Sequence, residues 1–556
     1  MLLSLPEELQ TQVLEWLALP GHKWSDSDDW PQGDIVPEHL ASLSKVCLVS
    51  KNLHRLAWPI LYQAFTNAEL RDRHSQTPKL EPSLFLRTIC LKPEYGLALR
   101  SLSIDLGTAL EAMDASEVFE LLQGDATLAA LFQWKVRSFW FGDFEDEDED
   151  DSASTNSNEL PAEDEDQDDS ASTDSNELPA EDDIASLLIR SLNMQLPEAQ
   201  MAVLLLLCPR MKELHIRPGL SRESTITAKV LRSMLKAAVS ADYRAANLPR
   251  IPRDFEQEES DYIVTQMFGS PWPDQRMQKL PTLQHLVKLS TYGNMMPGGS
   301  GVASFKNLLI ALPSLRTLEL VQLHGDSQDA PAGTSLAVPD SQLEKLSLLE
   351  SELDSSDMVE IITCCPNLTE LELDWLTGFE RYSIRLGEIA DALPICVPKL
   401  MQLKISSAQM ICHKESSEHP YTIGTALTQL SHLTYLELDH SAIYGPQDSG
   451  PSTSGRQLSE LLPKSIEYLE IGPNDFRGEL GDAIQPVDAW EEWQIDDLNH
   501  LLQDESFGRL RDLYLELDGS SARRHIYPDT MLKHGWRVFE DNPENWVFRI
   551  ENPIRV

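Results

Sequence analysis

A six-residue pattern of leucines, L-x-x-L-x-L, recurs along most of the chain and limits its possible folds more than any other feature. In a β-strand, successive side chains point to opposite faces, so the last two leucines of each copy would share one side. A single copy cannot bury that apolar side alone, and neighbouring copies must therefore stack around a shared core. The copies begin at Leu99, Val136, Met211, Leu315, Leu343, Leu368, Leu400, Leu433, Ile466 and Leu510.

The spacing of the copies favours an α/β fold. Several copies follow a helix-like apolar stretch that ends in a proline, as at Pro313, Pro366 and Pro463. In the second half of the chain, the central leucines are separated by 28, 25, 32, 33, 33 and 44 residues. These leucines are Leu318, Leu346, Leu371, Leu403, Leu436, Leu469 and Leu513. The pattern resembles a degenerate leucine-rich-repeat solenoid, with a helix and a short parallel strand in each repeat and a weaker copy near residues 283–286.

A strongly acidic segment interrupts the repeats at residues 143–183. It holds 20 acidic residues and no lysine or arginine, in a chain with a net charge of −45. Residues 145–162 and 163–180 are tandem copies of one 18-residue unit. Such a polar unit cannot bury enough apolar surface to offset chain entropy, which predicts disorder.

The position of the acidic segment predicts an insertion within one repeat. Removing its 41 residues shortens the separation of Phe139 and Leu214 from 75 to 34 residues, which is one repeat. Two roles remain open for the segment. It is either an interaction or solubility segment with phosphorylatable serines, or a tolerated duplication.

Two amphipathic helical stretches are predicted near the N-terminus. A capping box at residues 4–7 and Pro6 in the first turn favour a helix start, and apolar residues recur at helical spacing as far as Leu17. After a polar segment at residues 21–38, a second helical stretch covers residues 40–62.

These stretches carry two motifs in a fixed order. L-P-x-E-L begins at Leu5, and V-C-x-V-S-K-x-L-H-R-L-A-x-P-x-L-Y begins at Val46. Together they resemble an F-box, in the form common in fungal F-box proteins. The resemblance implies a three-helix module that docks on the Skp adaptor of a cullin–RING ubiquitin ligase, largely through apolar side chains. The implied adaptor-binding residues are Leu5, Pro6, Glu8, Leu9, Val13, Leu17, Leu40, Leu43, Val46, Cys47, Leu56, Pro59 and Leu61.

Two departures from the F-box pattern leave a second interpretation open. The 21–38 segment is longer than the usual link between the first two helices, and Leu53 stands where a tryptophan often follows the lysine equivalent to Lys51. The F-box interpretation predicts the substrate-recognition subunit of an SCF-type ubiquitin ligase. The alternative is that these helices only cap a repeat scaffold that is not linked to a ligase.

The repeat pattern also predicts a binding face. The residue between the last two leucines of each copy points away from the core, and so does the residue two positions earlier. In the later repeats these positions are rich in Glu and Tyr, which suits a protein substrate with a basic segment. The alternative is a face that is polar only because it is exposed. The candidate substrate-binding residues are Glu319, Glu372, Glu437, Glu470, Tyr435, Tyr468 and Tyr514.

Composition and motifs disfavour several other functions. A net charge of −45 is unsuited to nucleic acid or an anionic membrane surface, since both require lysine and arginine. Seven cysteines without C-x-x-C spacing disfavour a disulfide framework or a zinc finger. No catalytic motif is found, and the adjacent Cys412 and His413 have no orienting third residue. We therefore expect a non-catalytic protein that needs no metal or cofactor.

Secretion and membrane insertion are also disfavoured by the sequence. The longest apolar run, residues 201–208, is far shorter than the ~20 residues that span a bilayer. The first residues lack the basic region of a signal peptide. We expect a cytoplasmic or nuclear location.

These features divide the chain into five predicted parts. Residues 1–65 form the F-box-like module, 66–142 the first degenerate repeats, 143–183 the acidic insertion, 184–520 the solenoid, and 521–556 a C-terminal cap. The last part is rich in aromatic residues and leaves the repeat pattern. A solenoid needs a terminal cap over its last repeat, and a substrate-binding element is the alternative for this part.

Overall fold

The fold is known from a computed structural model that describes the helical module, most repeats and the last strands. The described residues are 5–18, 37–66, 85–86, 88–89, 92–105, 201–202, 204–205, 207–208, 210–217, 231, 283–292, 302–324, 341–375, 384–406, 423–444, 457–472, 492–516, 537–542 and 547–551.

The described strands form one sheet of thirteen strands, in which β1 to β11 follow chain order and are all parallel. β13 then pairs antiparallel with β11, and β12 lies outside it. The strands are β1 (Ala64–Thr66), β2 (Ser101–Asp105), β3 (Glu213–Arg217), β4 (Lys288–Tyr292), β5 (Thr317–Val321), β6 (Lys345–Ser351), β7 (Glu370–Trp375), β8 (Gln402–Ser406), β9 (Tyr435–Asp439), β10 (Tyr468–Gly472), β11 (Asp512–Glu516), β12 (Arg537–Asn542) and β13 (Val547–Glu551).

Helices precede the first strand, and further helices lie between several of the later strands. They are α1 (Glu7–Ala18), α2 (Pro37–Cys47), α3 (Lys51–Leu61), α4 (Pro93–Ala98), α5 (Val302–Ala311), α6 (Ser355–Thr363), α7 (Leu386–Cys396), α8 (His440–Tyr444), α9 (Leu458–Leu461) and α10 (Glu492–Gln503), with short 3₁₀ turns at Ala426–Gln429 and Glu505–Phe507. Successive helices pack on one another, as α5 does on α6 and α6 on α7. The predicted α/β class with helices and a parallel sheet is confirmed, and the arrangement is compatible with a solenoid.

The predicted central leucines lie side by side across the sheet. Each pairs in register with the next, and none is more than 2% exposed. They are Leu318, Leu346, Leu371, Leu403, Leu436, Leu469 and Leu513. One apolar cluster extends from Phe65 to Leu515, so the repeats share a single continuous core, as stacking requires.

A repeated backbone contact fixes this register. The carbonyl of the residue just before each strand from β1 to β10 accepts two N–H groups from the start of the next strand, at 2.7–3.2 Å. Each carbonyl has two lone pairs, so both bonds can form together. The accepting residues are Gln63, Arg100, Lys212, Val287, Arg316, Glu344, Thr369, Met401, Thr434 and Glu467.

The structure corrects one predicted repeat. β2 pairs directly with β3, with Leu102 opposite Leu214, so no strand lies between them. The predicted strand beginning at Val136 is therefore wrong as an intervening repeat, and its residues lie outside the described part. The acidic segment at residues 143–183, also outside it, belongs to the connection between β2 and β3 and not to a 34-residue repeat.

A second correction concerns the weak copy near residues 283–286. The strand is β4, a few residues later, where Leu289 pairs with Leu318 of β5. Thr291 occupies the position of the last leucine, so the six-residue pattern is incomplete there. The buried Thr291 side chain, 2% exposed, nevertheless fills the same place in the core.

One close approach between repeats makes a test of the fold. A β-carbon at Gly96 of α4 would lie 2.7 Å from the backbone carbonyl oxygen of Leu207 and 3.0 Å from the Ile89 side chain. Gly96→Ala should therefore lower the free energy of unfolding by about 1–3 kcal/mol, the usual cost of overpacking. Urea unfolding followed by circular dichroism measures this, with the exposed neighbour Leu97→Ala as control. Equal midpoints for the two variants would contradict the packing.

Candidate protein-interaction surfaces

Helices α1 to α3 have a small core of their own. Leu14 of α1, Leu43 of α2, and Leu56 and Ala57 of α3 form a cluster separate from the main core. Ser50 caps α3, since its hydroxyl oxygen accepts a hydrogen bond from the Leu53 N–H. The three predicted helical elements are thus packed as a unit.

Polar contacts fix α1 against α3. The buried Gln10 side chain donates to the Leu5 carbonyl at 2.7 Å and accepts from the Asn52 amide at 3.3 Å. Arg55 lies 2.7 Å from Glu7, and this hydrogen bond lowers the pKa of the exposed Glu7 carboxyl. The contacts orient the start of α1, where the L-P-x-E-L motif lies.

This helical module leaves several large apolar side chains in contact with solvent. Leu9 is 45% exposed, and Leu48 and Val49, in the turn between α2 and α3, are 84% and 66% exposed. Leu48 and Val49 are adjacent in the chain, and adjacent exposed apolar side chains on a folded module are typical of a protein-binding surface.

The structure separates the predicted adaptor-binding residues into three groups. Leu43 and Leu56 are buried in the module's core, where they pack between the helices and support the surface. The side chains of Leu17 and Leu40 lie outside the described part. The remaining residues are half-buried or exposed: Leu5, Pro6, Glu8, Leu9, Val13, Val46, Cys47, Pro59 and Leu61.

Aromatic rings join the module to the first repeats. Tyr95 of α4 stacks on Trp58 at 4.5 Å and lies 4.4 Å from Tyr62 at the end of α3, measured between ring centroids. Phe65 of β1 stacks on Phe85 at 4.3 Å. Because α3 leads into β1 after two residues and its last rings pack on the main core, the module and the sheet are rigidly connected.

The outward face of the sheet carries a ladder of tyrosines at β9 to β11. The rings of Tyr435 and Tyr468 are stacked with centroids 4.4 Å apart and an interplanar angle of 8°. The Tyr468 ring also stacks on the Tyr514 ring, with centroids 5.0 Å apart. Tyr435 and Tyr468 pair in register, so their spacing matches the distance between adjacent strands. Tyr514 instead pairs with Glu470, and its ring reaches Tyr468 diagonally.

Hydroxyl groups hold carboxylates on the same face. Tyr435 donates to Glu437 at 2.9 Å, Tyr468 donates to Glu470 at 2.8 Å, and Ser347 donates to Glu372 at 2.7 Å. Burial, and next the adjacent carboxylates, raise the pKa of both tyrosines. A hydroxyl donor orients a carboxylate without cancelling its charge, which leaves lone pairs for a cation.

Two lysines neutralise part of this charge. Lys404 of β8 lies 3.2 Å from the Glu437 carboxylate and 5.8 Å from the centroid of the Tyr435 ring. Lys345 of β6 lies 3.0 Å from Glu370. The position of Lys404 over an aromatic ring was not anticipated from the sequence.

The predicted outward column is exposed only in part. His215 and Ser347 were expected to face solvent, but each is 3% exposed, and Ser290 in the same column is fully buried. Glu319 is half-buried, and burial raises the pKa of its carboxyl. Of the predicted substrate-binding residues, the structure brings together Glu437, Glu470, Tyr435, Tyr468 and Tyr514 on β9 to β11, places Glu372 nearby on β7, and places Glu319 apart on β5.

No family model matches the chain, and no curated protein matches it. Within the described ranges, every helix is too short or too polar to cross a membrane. Among the same residues, no group of three or more histidine, cysteine, aspartate and glutamate side chains could hold a metal ion.

A half-buried carboxyl on this face makes stability depend on pH. Burial raises the pKa of Asp374, on β7, from 3.8 to about 6, although the Glu350 N–H and the Ser406 hydroxyl oppose the shift. The protonated form thus stabilises the fold below about pH 4, and this contribution is lost as pH rises through 6. Asp374→Asn, which cannot ionise, should raise the free energy of unfolding at pH 7.5 by up to about 3 kcal/mol and have little effect near pH 4.

Urea unfolding at the two pH values measures this difference, with the exposed Asp391→Asn on α7 as the control for the same chemical change. If Asp374→Asn raised the free energy of unfolding equally at both pH values, the raised pKa of the Asp374 carboxyl would be contradicted.

Proposed function

We propose that the chain is the substrate-recognition subunit of an SCF-type ubiquitin ligase. In this role, helices α1 to α3 bind the Skp adaptor, and the outward face of β7 to β11 binds a protein substrate. The chain itself makes and breaks no covalent bond. It raises the local concentration of the substrate near a ubiquitin-charged conjugating enzyme held by the cullin.

The exposed apolar surface on the helical module is the observation that carries the proposal. Leu48 and Val49 lie within the second F-box-like motif and Leu9 within the first, and all three face solvent. Fully burying one such side chain against a partner is worth about 1.5–3 kcal/mol, so a few suffice for a specific apolar interface. An interface of this kind is what the resemblance to an F-box implies.

The rigid connection between module and sheet supports the same role. The Tyr95 ring packs on both Trp58 and Tyr62, so α3 cannot swing freely relative to β1. A fixed connection holds a bound substrate at a constant distance and orientation from the adaptor. High effective concentration depends on such geometry, because a freely moving link would spread the substrate over a larger volume.

The charge of the outward face suits a substrate with a basic segment. Glu372, Glu437 and Glu470 are oriented by hydroxyl donors, and the tyrosine ladder supplies a flat, rigid contact area beside them. Complementary charge speeds encounter and selects the partner, and tyrosine commonly provides contact energy at little entropic cost.

The second candidate is a repeat scaffold without a ligase, in which α1 to α3 only cap the sheet. The half-buried Trp58 and Tyr62, which pack on the main core, are the observation that favours it. A pull-down for the Skp adaptor and cullin discriminates between the two functions. Only the ligase function requires that the chain retain both the Skp adaptor and the cullin.

The apolar surface provides the sharper test. Leu48→Asp combined with Val49→Asp should abolish capture of the Skp adaptor, because two charges would be buried without partners in the interface. Both side chains are strongly exposed, so the unfolding midpoint should change little. The matched control is Ile395→Asp on α7, an 81% exposed apolar residue outside the module, which should leave capture intact. Undiminished capture by the double variant would argue for the scaffold.

A further inference from the structure

Tyr435 lies between a tyrosine and a cation. Its ring stacks on Tyr468 of β10, and the Lys404 ammonium group is 5.8 Å from its centroid. Because β8 and β10 flank β9 on opposite sides, Lys404 covers the ring face that Tyr468 leaves open. The same ammonium group lies 3.2 Å from Glu437, whose carboxylate also accepts the Tyr435 hydroxyl.

Water and salt reach this lysine in part. The side chains of Lys404 and Glu437 are 22% and 32% exposed, so water competes with the ion pair and salt screens it. An ammonium group is a strongly hydrated point charge, whereas a guanidinium group is planar, stacks on aromatic rings and pairs with a carboxylate through two bonds. An arginine from outside would therefore make better use of the same ring and carboxylate.

A second carboxylate lowers the cost of displacing Lys404. Glu372 on β7 pairs in register with Lys404, on the side opposite to Glu437. Adjacent strands are about 5 Å apart, which a lysine side chain can span by changing rotamers. A displaced Lys404 can thus exchange Glu437 for Glu372 without losing an ion pair.

We propose that the Tyr435 ring and the Glu437 carboxylate form a subsite for an arginine side chain of a partner segment, and that Lys404 occupies it in the free protein as an internal competitor. This assignment deepens the proposed function, on which it rests, by giving the basic segment of the substrate an arginine. Lys404 lowers the affinity of this subsite for the partner. The partner must therefore present a group that binds the ring and the carboxylate better than lysine does.

The competitor model has an unusual consequence for mutagenesis. Lys404→Gln, which removes the charge and keeps a flexible polar side chain, should increase affinity for an arginine-containing peptide by about threefold or more, as expected for release of one cation–π contact. Lys345→Gln removes an equal charge from the same face, but its lysine pairs with Glu370, and no ring contact to Lys345 occurs among the described residues. It therefore controls for the general increase in negative charge.

The probe is a fluorescein-labelled 12-residue Gly/Ser peptide with four arginines, compared with the same peptide carrying four lysines. Fluorescence anisotropy at about 0.15 M salt measures the dissociation constants for the full-length protein and each variant. We expect the wild type to prefer the arginine peptide, Lys404→Gln to bind it more tightly than Lys345→Gln does, and Tyr435→Leu to lose the preference for arginine. Equal gains from the two lysine variants, or the absence of saturable binding, would overturn the assignment.

Adaptor capture by the same variants separates this assignment from the proposed function. Variants at Lys404 and Tyr435 should capture the Skp adaptor as well as the wild type does, because both residues are far along the sheet from α1 to α3. If neither the wild type nor any variant captures the Skp adaptor while the peptide results are as expected, the arginine subsite is supported and the ligase role is contradicted. If capture holds while the two lysine variants behave alike, the ligase role stands and the subsite falls.

Discussion

Among the described strands, ten shared backbone carbonyls align each repeat with the next. Each one, from Gln63 to Glu467, accepts two N–H groups from the start of the next strand, so every repeat begins at the same level as its neighbour. A shift of one residue would turn a strand's leucines towards solvent and its polar residues into the core. The continuous apolar core and the aligned outward columns both follow from this register.

The sequence predicted best those strands in which leucine always occupies the central position. From Leu318 to Leu513, leucine occupies the central position of each strand, and side-chain alternation then determines which positions are buried. β4 was misplaced because Thr291 replaces a leucine, although a buried threonine serves there equally well. The repeat beginning at Val136 was wrongly predicted for a different reason, since its residues fit the pattern but supply no strand between β2 and β3. Six residues with three apolar positions are too short a pattern to reveal whether a neighbouring strand exists to pair with.

For the candidate surfaces too, the sequence predicts the contacts that strand register determines. It does not predict contacts that depend on side-chain conformation or on packing between helices. Adjacent repeats with tyrosine in one register position imply neighbouring rings, so the stack of Tyr435 on Tyr468 follows from the sequence once the register is known. The contact of Lys404 with Tyr435 depends on side-chain conformations that strand alternation does not specify. On the helical module, motif resemblance does not distinguish Leu43, which is buried, from Leu48, which is exposed. Only packing between the three helices separates supporting residues from those that a partner can reach.

The acidic tandem units lie in the connection from β2 to β3, between Asp105 and Glu213. Loop-closure entropy grows only with the logarithm of the number of residues, so one more 18-residue unit in a connection of this length costs about 0.1 kcal/mol. Strand pairing on either side is untouched by such a change, because Leu102 meets Leu214 whatever the length between them. A change in the number of units would therefore cost folding almost nothing, whereas an insertion within a strand would disrupt the pairing of the sheet.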